Sequence, residues 1–212
     1  MGRTSDTRER LIASAITLIH ARSYSAVSVD DLCTQAGVNK GSFYHFFPTK
    51  RDLALAAIER QWNDTQRHVL DPAFAPDLPP LGRIPRLFRL AAGLQGQSAT
   101  LSSGVPGCPF GNLAAELGTQ DAVIRDKVRE VFAGYGTYFE RALHEAQAAG
   151  AIGPLDVPAA ARTLLAYFEG ALLLAKTYND ATMIAGLGRD AVNLIRSRSA
   201  APTATAPGRS IS

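Results

Sequence analysis

Cysteine is scarce, charge is weak and no long apolar run is present. Two cysteines in 212 residues, Cys33 and Cys108, give neither a disulfide framework nor metal-ligand spacing. The four histidines, His20, His45, His68 and His144, are scattered, so no zinc motif forms and no metal is expected. No run approaches the ~20 apolar residues that span a bilayer. The longest candidate, 166–175, is interrupted by Glu169 and Gly170. MGRTSDTRER is charged and no apolar signal core follows it, so no export and no membrane partner are expected, and a cytoplasmic address is. The net charge of +3 does not by itself indicate nucleic acid. Residues 1–68 hold nine Lys/Arg against seven Asp/Glu. There is no P-loop, zinc-protease motif or paired-carboxylate signal. The run Gly186-Leu187-Gly188-Arg189-Asp190-Ala191 has no strand before it, and its third position is Ala191, which excludes a dinucleotide fingerprint. Catalytic residues and cofactors are therefore expected to be absent.

What is present is helical patterning and one informative stretch, SVDDLCTQAGVNKGSFYHFFPTK, Ser28 to Lys50. Ser28 can cap a helix, with Asp31 reaching back at its third position in a capping box. Gly37 stands where the chain must turn sharply with positive φ. Asn39 can cap a second helix, whose first turn is Lys40-Gly41-Ser42, and Pro48 then leaves Thr49 to cap a third, with Asp52 repeating the capping box. This is a helix-turn-helix, whose second helix can enter a DNA major groove.

The second helix has the composition for that task. From Asn39 to Arg51 there are three cations (Lys40, Lys50, Arg51) and no acid. Lys40, Gly41 and Ser42 offer small or donor groups to phosphate or base edges. Tyr44 and His45 lie away from Phe43 and Phe46, which are expected to pin the helix to its core. Phosphate contacts position such a module, and groove-facing side chains read sequence. Ser28, Asn39, Lys40, Gly41, Ser42, Tyr44, His45 and Lys50 are the candidate DNA-binding residues. For His45, groove contact and a plain surface role stay open.

The run AGVNKGSFYHFFPTKRDL resembles the signature of TetR-type transcriptional regulators, A-G-V-[S/N]-x-G-x-[L/F/I]-Y-x-[H/Y]-F-x-x-K-x-x-L. The likeness extends from the Thr7–Ala21 helix through Leu53, about the first quarter of the chain. Phe47-Pro48 departs from it, since many relatives carry a polar residue there. The resemblance implies an all-α protein with an N-terminal three-helix DNA-binding domain and a helical ligand-binding and dimerisation domain. It also implies a homodimer on a palindromic double-stranded operator, released by a small-molecule effector, with repression the favoured sign. Domains are expected at 1–52 and 53–198, with a disordered tail at 199–212.

The rest of the chain reads as helices with no strand alternation. The first runs from about Asp6 to Arg22. Prolines at 72, 76, 79, 80 and 85 mark a loop after a connector helix that ends near His68. The apolar face of the last two helices, Leu164, Phe168, Ala171, Leu172, Ala175, Ile184, Leu187, Ala191 and Ile195, is the candidate dimer surface, with intramolecular core as the alternative. Trp62, Phe88, Phe110, Tyr135, Phe139 and Tyr167, with Cys108 and Asn112, are candidates for an effector pocket between helices. Glu116 and Glu169 are candidate polar groups beside them.

Cys108 opens GCPFGNLAAEL, which is similar to a G-C-x-x-x-N-L-x-x-E segment in a subgroup of these regulators. A thiol at a helix N-terminus has its pKa lowered, which would make Cys108 an electrophile or redox sensor. A packed, steric cysteine is the other reading. A small all-helical enzyme using Cys108 is the rival class, but no histidine is placed beside it.

Overall fold

The computed structural model describes residues 2–101 and 104–200, and every regular element among them is helical. Helices α1 (Gly2–Arg22), α2 (Val29–Ala36) and α3 (Lys40–Phe46) form the N-terminal module. Their ends follow the local rules read from sequence. Both capping boxes form, Ser28 with Asp31 and Thr49 with Asp52. Asn39 Oδ1 accepts from the Ser42 amide at 2.8 Å. Gly37 closes α2 at φ 63°, its amide donating to the Cys33 and Thr34 carbonyls, a left-handed geometry that suits glycine.

Helix α4 (Lys50–Thr65) continues through a π turn, Gln66–Leu70, into a short α5 (Asp71–Ala73). The body comprises α6 (Pro80–Leu101), α7 (Pro109–Leu117), α8 (Ala122–Ala148), α9 (Val157–Tyr178) and α10 (Thr182–Ala200). Three expected boundaries move. α1 starts before Asp6, and α10 runs two residues into the expected tail, whose remainder, 201–212, lies outside the described residues. The helix expected over about Leu81–Gln97 is α6, which runs on to Leu101 and holds Pro85, one of the prolines read as loop markers. In the second turn Pro85 forgoes its own i→i−4 bond and crowds the carbonyl four residues back, a local cost of interior proline.

The core is continuous across α6, α8, α9 and α10. α6 crosses α10 closely because Gly188 meets Phe88 and the Pro85 backbone. Aromatic rings fill the centre: Phe88 stacks edge-on against Phe168 with centroids 5.0 Å apart, and Trp62 lies 5.3 Å from Tyr135. α9 is apolar on two sides, with mean hydropathy 1.3 over its richest 18 residues. By length and composition it is able to cross a membrane, but it carries Glu169 at mid-length, a costly residue in a bilayer. One side packs on the body; the other presents Leu173 (62% exposed), Leu174 (44%) and Tyr178 (67%) to solvent.

This corrects the dimer-face expectation. Leu164, Phe168, Ala171, Leu172, Ala175, Ile184, Ala191 and Ile195 are buried inside the subunit, and Leu187 is half-buried. The strongest apolar stripe of a helix faces its own core. A second, weaker stripe on α9 is the one left open.

Candidate nucleic-acid interface and the cavity behind it

α3 is held by burial of Phe43 and Phe47, while Phe46, expected to share that task, is half-buried. Gly41, Tyr44 and His45 are exposed, as are Ser28 and Asn39 at the two cap positions, and Ser42 is half-buried. The Tyr44 ring stands edge-on to Phe43 with centroids 5.1 Å apart, so a core residue fixes an outward ring. Lys40 pairs with Asp30 of α2 at 2.8 Å, both side chains well exposed. Such a surface pair is screened by water and salt and leaves the ammonium free to change partners.

Lys50 differs from expectation. Its ammonium donates to the Tyr24 and Val27 carbonyls at 3.1 and 2.9 Å and lies 4.1 Å from the centre of the Tyr24 ring. Burial pushes its pKa down, partly opposed by nearby Glu116. Turned inward, this lysine ties the loop before α2 to the start of α4. Lys50→Ala is therefore expected to lower stability by about 1–2 kcal/mol, from two charge-assisted bonds discounted for partial exposure. Thermal melts check this, and an unchanged melting temperature would contradict it.

The module is docked on the body through α7. Glu116 accepts from the Tyr24 and Ser25 amides at 2.8 and 2.7 Å. Burial acts against its ionisation, but the hydrogen bonds from Ser25 and Tyr24 outweigh it and hold the carboxyl below its usual range. His20 Nε2 meets the Gly107 carbonyl at 3.1 Å, and Arg51 reaches Asp121 at 3.5 Å. Glu116, expected as a pocket group, is thus also a latch on the entry to the helix-turn-helix.

Between the module and the body lies a cavity of about 800 Å³. Its walls come from α1 (Ile16, Ile19, His20), α4 (Ala54, Ile58, Gln61), α7 (Phe110, Asn112, Leu113) and α9 (Leu173, Lys176). Burial, then the nearby Lys176 charge, lower the pKa of His20 against the opposing Gly107 bond. A smaller cavity of about 340 Å³ adjoins it through Asn112, Leu173 and Lys176, and is lined also by Cys108, Phe132 and Glu169. Lys176 Nζ donates to Asn112 Oδ1 at 2.9 Å on this shared wall.

The expected effector residues divide accordingly. Phe110, Asn112 and Cys108 line one or both cavities. Phe88, Tyr135 and Phe139 line neither and are buried core, while Trp62 and Tyr167 are half-buried against them. The α1 and α4 contributions were not signalled in sequence, because those apolar positions are indistinguishable from ordinary helix-packing residues.

Cys108 does cap α7, and its Sγ accepts from the Gly111 amide at 3.3 Å. Of the two readings of this cysteine, burial favours the packed one over the activated one. Burial, then the neighbouring Glu169 carboxyl, push the thiol well above its usual pKa, so the helix-terminal effect loses and the group is a neutral thiol at pH 7. Among the described residues no cluster of three or more His, Cys, Asp or Glu side chains is placed to hold a metal ion.

Comparison with known proteins matches this architecture along most of the chain. Residues 11–57 match the family described as bacterial regulatory proteins, tetR family, and residues 84–189 match that described as tetracyclin repressor-like, C-terminal domain. The transcriptional regulator AcuR of Cereibacter sphaeroides is 32% identical over 79% of this chain and 75% of its own. The transcriptional repressor DhaR of Mycobacterium sp. strain GP1 is 29% identical over 83% of this chain and 85% of its own. The crystal structure of regulatory protein TetR from Rhodobacter sphaeroides superposes with a TM-score of 0.77 at 30% identity, covering 87% of this chain and 96% of that one. The helix-turn-helix, the helical body and these likenesses together establish that the chain belongs to the TetR family of DNA-binding transcriptional regulators.

Proposed function

We propose that this protein is a cytoplasmic homodimeric repressor that reads a palindromic operator and is released from it by a small-molecule effector. The observation that carries the reading is the shared cavity. Two of its walls, α1 and α4, belong to or adjoin the DNA-reading module, and two, α7 and α9, belong to the body. A molecule filling it bears on both at once and favours whichever relative placement fits it. Release then follows as a population shift between two placements of the recognition helices. The Glu116 latch lies on the same α7 that supplies Phe110 and Asn112, so displacement of that helix reaches the loop before α2.

The exposed Leu173, Leu174 and Tyr178 stripe supports pairing of α9 with a second subunit, since one helix-turn-helix alone binds DNA weakly and paired modules read half-sites. The repressor name of DhaR supports repression as the sign. Cys108 acts as a packed cap, and no turnover is assigned to it.

Fluorescence anisotropy tests the reading, with duplex from upstream of the protein's own gene and a scrambled duplex in a salt series. Preferential upstream binding that survives moderate salt is expected, with Tyr44→Ala weakening it at least about tenfold, or 1.4 kcal/mol, at unchanged melting temperature. Equal, steeply salt-sensitive affinity for both duplexes would reduce the interaction to phosphate attraction and contradict operator reading.

A further inference from the structure

Glu169, on the wall of the smaller cavity, carries the one buried side-chain polar atom, among the described residues, that no protein group hydrogen-bonds: Oε1. Native interiors pair their polar groups, so an orphan of this kind calls for an explanation. The surroundings make it specific. The Cys108 thiol lies beside the Glu169 carboxyl on the same wall, and a Cβ at Gly111 would come 2.5 Å from Oε2. Glycine there admits the carboxyl to the cavity wall. The carboxyl thus keeps acceptor capacity beside a mostly apolar cleft.

We infer that Glu169 forms the donor-selecting end of the effector site, and that the ligand is a small, largely apolar compound carrying an amine or other strong hydrogen-bond donor. This rests on the effector reading above and names its chemical class. The cavity of about 340 Å³ has room for one ring with a short polar arm, since a 150 Å³ apolar cavity already takes benzene. The ring packs against Phe132 and Leu173, and the arm donates to the Glu169 carboxyl. Lys176, on the wall shared with the larger cavity, favours the opposite chemistry, an anion. Its ammonium is already on Asn112 and belongs to an exposed residue, so water screens its pull. Glu169 is shielded, and once ionised, above its raised pKa of about 7, its deeper charge dominates selection.

Calorimetric titration at pH 8, where the carboxyl is ionised, with benzylamine, benzyl alcohol and benzoate tests this directly on the wild-type protein. Benzylamine is expected to bind at least about tenfold more tightly than benzoate, with benzyl alcohol between them. In Glu169→Gln and Glu169→Leu the span collapses to below about threefold, while both variants keep their helical spectrum. Benzoate binding as well as benzylamine, a preference that survives Glu169→Leu, or no benzylamine binding would each overturn the inference. Anisotropy of the operator complex separates this result from the broader reading. Benzylamine bound through Glu169 without DNA release would sink effector control but keep the site. Release by benzoate with no donor preference would do the reverse.

Discussion

Replacing Gly188 by alanine is expected to destabilise the protein, although intrinsic propensity alone predicts the opposite. Glycine inside a helix costs roughly 0.5–1 kcal/mol relative to alanine. Gly188 lies inside α10, and its φ is not positive, so nothing in its own backbone demands glycine. The constraint is across the interface. A Cβ there would come 2.9 Å from the Pro85 Cα and Phe88 Cβ, and 3.1 Å from Phe88 Cγ. Two of these three atoms are fixed to the backbone of α6, so relief requires the two helices to separate. Overpacking of this kind costs about 1–3 kcal/mol for one added carbon, and more for valine. Gly188→Ala should therefore lose about 2 kcal/mol net, and Gly188→Val upward of about 3. Gly136 in α8 is the control, because an added Cβ there meets nothing within 4 Å. Gly136→Ala should gain about 0.5–1 kcal/mol. Urea titrations at one protein concentration compare them; equal or rising stability in Gly188→Ala would show that α6 and α10 are not in close contact.

The second large effect runs the other way: Glu169→Gln is expected to stabilise the ligand-free protein. Burial raises the Glu169 pKa from 4.5 to about 7, with the Cys108 thiol opposing. The sign follows from proton linkage. Between these two values the folded state binds more protons than the unfolded chain, so this group's contribution to stability falls as pH rises. The loss begins near pH 4.5 and is complete above about pH 8, where it reaches about 3 kcal/mol for a shift of this size. Glutamine removes the ionisation and keeps an acceptor for Cys108. The variant should equal wild type near pH 4 and exceed it by up to about 3 kcal/mol at pH 8. Denaturant midpoints at the two pH values read this difference, with titrations common to both proteins cancelling. A variant less stable than wild type at pH 8 would mean that Glu169 has a stabilising partner and is not an orphan. A side chain that weakens the resting fold yet faces a cavity fits a binding role.

Much of the DNA-reading module was legible in sequence because local rules fix it. Ser28 with Asp31, Thr49 with Asp52, and Gly37 between Ala36 and Val38 are each decided by neighbours within a few positions, and each forms as expected. The proline-rich connector was legible in part: a helix over about Leu81–Gln97 was expected, yet Pro85 was also read as a loop marker and sits within α6, packed against α10. Lys50 resembled a phosphate contact because its inward partners, the Tyr24 and Val27 carbonyls, are tertiary neighbours with no side-chain signature. The dimer face was misplaced because periodicity finds the most apolar stripe, which the subunit buries itself. The cavity was least legible of all. Ile16, Ile58 and Leu113 look like any packing residues until the module and the body are set against each other. Cys108 shows a local rule losing to a global one: it does cap α7, yet burial beside Glu169 outweighs the helix terminus.

The central claim is that two copies of the helix-turn-helix, presented by one dimer, read a symmetric site. In vitro selection of bound duplexes from a randomised pool tests it most directly. The predicted outcome is an inverted repeat whose half-sites are centred one helical turn, ~34 Å, apart, lost when Tyr44→Ala protein is used. Recovery of unrelated sequences, or of one asymmetric half-site bound by a single subunit, would contradict the account.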